Sequence, residues 1–149
     1  VSDVLIYWRD YKLNQVYQWL DDRKWYWHSN ASIIGDLQTG DAAWFVASGK
    51  SVRREPKSAA FLVAKWRIRE VKRNLGEDPA YPRDEYKYRL LADPSASCTY
   101  HKKPVEVDGI VRPATADKDI SIGRYLQGPR RLNRVTVQQL VDATSCKSL

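Results

Sequence analysis

Cysteine, histidine and long apolar runs are all scarce in this sequence, and each shortage removes a class of protein. The cysteines are Cys98 and Cys146 alone, too few to staple a chain of 149 residues with a disulfide framework. A reducing, cytoplasmic setting is the simplest expectation. Cys98-x-x-His101 has the spacing of half a zinc site, but the other half is missing. Only a coincidence of folding would let Cys146 and His28 complete it, so no metal is expected. No apolar run approaches the roughly 18 residues of a membrane span, and no signal peptide opens the chain. The sequence begins Val-Ser, and we expect a single domain, residues 1–149, excised from a longer protein.

Catalytic signatures are missing too. There is no phosphate-binding Gly-rich loop, no G-x-S-x-G elbow and no H-E-x-x-H pair. With only His28 and His101 present, histidine offers few candidates for a general base. The acidic pairs Asp21-Asp22 and Glu77-Asp78 read as solubility features. The expectation is a non-catalytic domain with no cofactor.

What the sequence does have is positive charge and flat side chains. Twenty-five Lys and Arg against eighteen Asp and Glu give a net charge of +7, which favours a polyanionic partner. The excess is uneven: Lys50 to Arg73 contains nine basic residues against Glu55 and Glu70, and Gly123 to Arg134 has Arg124, Arg130, Arg131 and Arg134 with no acid. Six Trp and nine Tyr outnumber two Phe, and their flat apolar faces with polar edges suit base stacking. Together these biases favour nucleic acid over membrane or metabolite.

Periodicity supplies a coarse architecture. "DVLIYWRD" (3–10) predicts a strand with Val4, Ile6 and Trp8 on one face and Leu5, Tyr7 and Arg9 on the other. Leu13, Val16, Tyr17 and Leu20 have the spacing of an amphipathic helix. After "WYWHSNAS", either a short strand or an extended segment leading into a loop, a turn at Gly40-Asp41 leads into a strand from Ala42 to Ala47. Residues 48–58 read as a basic loop. Residues 60–72 read as a strand with Leu62, Ala64, Trp66 and Ile68 on one face and Lys65, Arg67 and Arg69 on the other. A strand over 85–92 aligns Tyr86, Tyr88 and Leu90. Beyond it, "PVEVDGIVRP" reads as a hairpin about Asp108-Gly109 or a long ordered loop, and "ISIGRY" as the start of a short strand. Thr136 and Gln139 form a capping-box pattern ahead of a closing helix striped by Val137, Leu140 and Val141. Because strands do not alternate with helices, the class expected is α+β: a compact, mostly antiparallel β-barrel flanked by helices.

The densest aromatic stretch is "KWYWHSN" (24–30). If it is extended, Trp25 and Trp27 share a face and Tyr26 points away. One of the pair is expected in the core and the other lining a pocket, with His28, Ser29 and Asn30 either reading a ligand's edge or making the turn. Trp66 is expected in the core. Trp8 and Trp44 have core as their default, and either is a candidate for a second pocket wall.

In order, "VLIYWRD", "WYWHSN", "LQTGDAAWFV", "AFLVAKWRIREV", "EYKYRLL" and "SIGRYLQGPRRL" resemble the EVE branch of the PUA-like superfamily, whose relatives include YTH and ASCH domains. That resemblance implies a small, strongly curved barrel and a pocket that accepts one base turned out of a nucleic acid. Its implied pocket residues are Trp8, Trp25, Tyr26, Trp27, His28, Ser29, Asn30 and Trp44. Lys50, Arg53, Arg54, Lys57, Arg124, Arg130 and Arg131 are the phosphate candidates. Tyr125 and Gln127 are candidates to fill the gap an extruded base leaves. The chain departs from the YTH pattern around "WYWHSN", so adenine methylation is not carried over. The function implied is a non-catalytic reader of 5-methyl- or 5-hydroxymethylcytosine in double-stranded DNA, working by base flipping in a bacterial cytoplasm or nucleoid. It would target a fused restriction or defence nuclease. The alternatives are a reader of modified RNA and an ASCH-like small nuclease using side chains such as Lys50 and Tyr26.

Overall fold

The structure, a computed structural model, describes residues 1–9, 11, 26–73, 86–100, 102–117 and 119–144. The elements in chain order are β1 (Asp3–Tyr7), β2 (Tyr26–Ser29), α1 (Ser32–Gly35), β3 (Ala42–Ser48), α2 (Gly49–Val52), β4 (Ala60–Arg73), β5 (Tyr88–Ala92), β6 (Cys98–Thr99), β7 (Val105–Glu106), α3 (Asp108–Val111), α4 (Ile122–Leu126), β8 (Arg130–Arg131) and α5 (Arg134–Thr144). The helix expected over residues 13–20, Trp19 and Trp25 lie outside the described residues.

The α+β class holds, but the described strands do not close into the expected barrel. They run in the order β2-β5-β4-β3-β1-β8, with β6 and β7 also pairing with β4. Closure would require β2 to pair with β8, which is only two residues long. β1 runs parallel to β3, and every other described pairing is antiparallel.

Alternation along the strands divides the apolar side chains between two cores. Val4, Ile6, Phe45, Trp66, Ile68 and Leu90 fill the first, with Ile34 and Leu37 from α1 and the turn after it. Leu5, Trp44, Val46 and Leu62 fill the second, together with Ile122 and Leu126 of α4 and Leu140 of α5. The opening strand and Trp66 follow the expected faces. Along β4 the expectation fails at Leu62, which belongs to the second core while Ala64, Trp66 and Ile68 belong to the first. A bulge is the reason: Phe45 pairs with Ala64 and Val46 with Leu62, leaving Val63 as an extra residue that reverses the alternation. A second bulge leaves Arg69 between Ile68 and Glu70, so Val71 returns to the first core.

Other local expectations change as well. Asp108-Gly109 opens the helical turn α3, not a hairpin; its Asp108 carboxylate accepts the Ala60 N–H at 2.9 Å and Arg112 at 3.0 Å. The stretch read as a short strand from Ile120 is α4. The basic loop begins with a helical turn, capped by the Ser48 side chain accepting from Ser51 N–H. Tyr86 precedes β5, and its ring stacks on His28, whereas Tyr88 and Leu90 pack in the first core. In α5 the capping residue is Asn133, whose Oδ1 accepts the Thr136 N–H at 2.8 Å, and Thr136 lies inside the helix. The expected stripe of α5 is correct: Leu140 is buried, and Val137 and Val141 pack against the second core.

Candidate nucleic-acid interface

A groove of about 520 Å³ opens where the C-terminal end of β1 meets segment 121–129. β1 supplies Ile6 and Tyr7, and Arg9 follows just beyond it. β2 supplies Trp27, and the far segment supplies Ser121, Arg124 and Gln127. Two stretches expected to act together, the aromatic segment and the closing loop, thus share one depression. The lining combines two guanidiniums and a carboxamide with the Trp27 indole and the Tyr7 phenol, and among the described residues it holds no carboxylate. Guanidinium groups only donate hydrogen bonds, so the lining suits phosphate oxygens and the acceptor edges of bases.

Segment 121–129 is held from several sides. The Ile122 N–H donates to the Ser58 carbonyl at 2.9 Å, tying α4 to the end of the basic loop. Gly123 lies against the Tyr7 ring so closely that a Cβ there would sit 2.6 Å from Cε2. α4 ends at Gln127 in the left-handed conformation, with φ at 48°, which turns the chain along the groove into Gly128.

Trp27 is half-buried, and its ring meets Phe45 at 5.9 Å and 74°. Phe45 touches Trp66 at 4.5 Å and Trp8 at 5.6 Å. The groove's aromatic wall is therefore the outer end of a chain of rings rooted in the first core, an arrangement that limits how far Trp27 can tilt. Trp8 spends its edges on that chain and on Tyr11 at 5.1 Å, so it supports the wall from behind. Burial at 4% exposure pushes the Tyr11 phenol up to about 12.

Several expected pocket residues lie elsewhere. Trp44, fully buried at 0% exposure, belongs to the second core. Its Nε1 donates to Asp3 at 3.0 Å, and the Lys65 ammonium sits 4.5 Å from its ring centre. Tyr26 and His28 flank Trp27 and therefore point to the opposite face of β2. There the Arg89 guanidinium lies 4.2 Å from the Tyr26 ring, and His28 stacks on Tyr86 at 5.5 Å. Ser29 makes the local turn, its Oγ accepting the Ala31 N–H at 3.0 Å, while Asn30 Oδ1 accepts the Lys87 N–H at 2.8 Å and ties the end of β2 to the segment ahead of β5.

The cations divide similarly. Arg124 is exposed on the groove. Lys50, Arg53, Arg54 and Lys57 are exposed on a loop pinned by three backbone bonds: Gly49 to Ala59, Lys50 to Lys57 and Arg54 to Gly49. Arg130 donates to the Tyr125 carbonyl at 2.9 Å and lies over its ring at 4.7 Å. Tyr125 itself packs on the second core, which makes it an anchor for α4 and leaves Gln127 as the gap-filling candidate on the groove. Arg131 faces Asp36 at 3.7 Å and lines a separate hollow beside the first residues of the chain.

Sequence reading missed Tyr7, Arg9 and Arg112. Arg112 has a visible signal, since Asp108 and Arg112 stand at the i, i+4 spacing of a helical ion pair. Among the described residues no group of three or more His, Cys, Asp and Glu side chains is placed to hold a metal ion. His101 and Cys146 lie outside them. Likewise, no described helix is long and apolar enough to cross a membrane.

No family model matches the chain, and no curated protein matches it in sequence. Among solved structures, the YTH domain of the Zygosaccharomyces rouxii MRB1 protein, in complex with N6-methyladenosine RNA, is similar over 94% of this chain and 85% of that one. The identity is 8% and the TM-score 0.45, a likeness too distant to carry that domain's ligand to this chain.

Proposed function

We propose that this chain is a non-catalytic reader of a modified base, which it takes out of a nucleic acid and stacks on Trp27. The observation that supports this is the groove itself, where one braced indole meets Arg9, Arg124 and Gln127. Removing a base from its stack costs a few kcal/mol. Stacking on an aromatic ring returns about 1–3 kcal/mol per base whichever base it is, so discrimination falls to the polar lip. Ser121 is the edge reader in this proposal, replacing His28, Ser29 and Asn30, and Gln127 fills the gap the extruded base leaves. The loop with Lys50, Arg53, Arg54 and Lys57 supplies phosphate contacts, which give affinity without base identity.

The finer version is 5-methyl- or 5-hydroxymethylcytosine in double-stranded DNA, read for an attached restriction or defence nuclease in a bacterial cell. It rests on the EVE-like resemblance. Anisotropy titrations with matched DNA duplexes carrying unmodified, methylated or hydroxymethylated cytosine, and with RNA bearing methylated or plain adenine, test both levels. The reader should prefer one modified ligand, and Trp27→Ala should weaken it by about 5- to 150-fold, the affinity equivalent of one stacked base. Equal affinity for every modified and unmodified ligand sinks the proposal. If RNA wins over DNA, only the finer version fails.

A further inference from the structure

Arg112 is 1% exposed, yet its guanidinium makes bonds to four separate places in the chain. Nη2 donates to the Ser58 carbonyl at 3.1 Å and to the Asp108 carboxylate at 3.0 Å. Nη1 donates to the Asp117 carbonyl at 3.1 Å and to the Ile120 carbonyl. Ser58 ends the basic loop, and Ile120 immediately precedes the groove's Ser121. A direct tie between the two segments, Ile122 N–H to Ser58 O at 2.9 Å, ends on the same carbonyl that Arg112 Nη2 reaches.

We infer that Arg112 is a positioning residue that locks the basic loop and the base groove into one rigid receptor. The inference rests on the reading of the groove and loop proposed above. A planar fork with five donors can satisfy carbonyls from two directions at once; an ammonium on a flexible stem cannot hold the same span. Asp108 compensates the buried charge and also holds the Ala60 N–H, so β4 is part of the same frame. With the frame intact, a backbone whose base is seated against Trp27 meets the cations of the loop in a fixed register, so little of the binding energy is lost to ordering them. Without it, groove and loop still exist but engage the ligand independently.

The test is a double-mutant cycle on binding. One arm is Arg112→Lys, which keeps the buried charge beside Asp108. The other neutralises the loop through Lys50→Gln, Arg53→Gln, Arg54→Gln and Lys57→Gln. The probes are a short fluorescein-labelled DNA duplex with one 5-methylcytosine and an RNA strand with one N6-methyladenosine, and the tighter-binding of the two is titrated at several salt concentrations. Near-ultraviolet circular dichroism and urea melts confirm that each variant is folded. Arg112→Lys should weaken binding about tenfold and flatten the salt dependence, because loop cations no longer displace counterions in register. In the Arg112→Lys background, neutralising the loop should cost much less than in the wild type. Strict additivity in folded variants, or an unchanged salt slope, overturns the inference. A loop that contributes nothing even in the wild type refutes the proposed phosphate role instead. If Arg112→Lys fails to fold, Asp117→Ala and Ile120→Ala keep both carbonyl acceptors and should bind as the wild type does; a loss of coupling in them would also overturn the assignment to Arg112.

Discussion

Gly123→Ala is the sharpest probe of how the groove is built. A methyl at this position would lie 2.6, 2.7 and 2.9 Å from three atoms of the Tyr7 phenol, against an ordinary carbon–carbon separation of about 3.5–4.0 Å. The ring has to retreat by about 1 Å, and it is rooted in β1, so it can yield only by tilting into the groove or by pushing α4 away. Overpacking of this kind costs about 1–3 kcal/mol. For a chain of this length about 2 kcal/mol lowers Tm by roughly 4–8 °C. Binding should fall further than stability alone requires, because the displaced ring occupies the space of the ligand. Gly109→Ala is the control: it lies in α3 with nothing within 4 Å of the added methyl, and should be neutral or stabilise by up to about 1 kcal/mol. Urea melts and anisotropy titrations of Gly123→Ala, Gly109→Ala, Tyr7→Ala and the Gly123→Ala/Tyr7→Ala double variant decide the matter. In the Tyr7→Ala background the Gly123 substitution should lose most of its cost. If it costs the same with or without the Tyr7 ring, or no more than the Gly109 control, the close approach does not shape the groove.

Three further outcomes are expected. Gly49→Ala should be more damaging than Gly123→Ala, about 3 kcal/mol or more by urea melt, since its methyl meets the backbone carbonyls of Pro56 and Arg54, the latter at 2.6 Å, and three loop hydrogen bonds depend on that packing. Trp44→Ala should cost about 3–5 kcal/mol and empty the second core, whereas half-buried Trp27 can be replaced by Ala at a smaller stability cost, read by the same melts. Burial raises the Tyr11 phenol from its ordinary 10.0 to about 12, so the unfolded chain gives up this proton before the folded one does, and stability falls as pH rises from about 10 to about 12. Stability profiles at alkaline pH should show a loss on the order of 2 kcal/mol over that window, absent in Tyr11→Phe. At neutral pH the same variant should be neutral or stabilising, because the buried hydroxyl has no hydrogen-bond partner among the described residues.

The strands with strong alternation were legible, and β1 and β3 lie on the faces their side chains dictate. β4 was legible as a strand but not in its sides, because Val63 and Arg69 bulge out of the ladder. Nothing in "FLVAKWRIREV" marks a bulge; it is imposed by the partner strand. The groove was half legible. Trp27, Arg124 and Gln127 advertise themselves by composition, yet Tyr7 and Arg9 join them only because β1 and segment 121–129 meet across a long stretch of chain. His28, Ser29 and Asn30 were drawn toward the site by adjacency to Trp27, and the pleat of β2 then turned His28 to the other face while the backbone claimed the two polar residues. The turn α3 escaped because Asp-Gly is also the commonest hairpin signal. What settled it was the salt bridge from Asp108 to Arg112, one helical turn later.

The two bulges of β4 bear on how this fold tolerates the loss of residues. Deleting a residue from an ordinary strand inverts every side chain beyond the cut. Deleting Val63 would do the reverse: Phe61, Leu62, Ala64, Lys65 and Trp66 would then alternate cleanly, each already on the side it occupies now. Deleting Arg69 would likewise leave Ile68, Glu70 and Val71 in strict alternation. These are the two places where β4 can shorten by one residue without turning its core outward. The change would straighten the strand, and with it the curvature that carries β5 and Trp27 toward the groove.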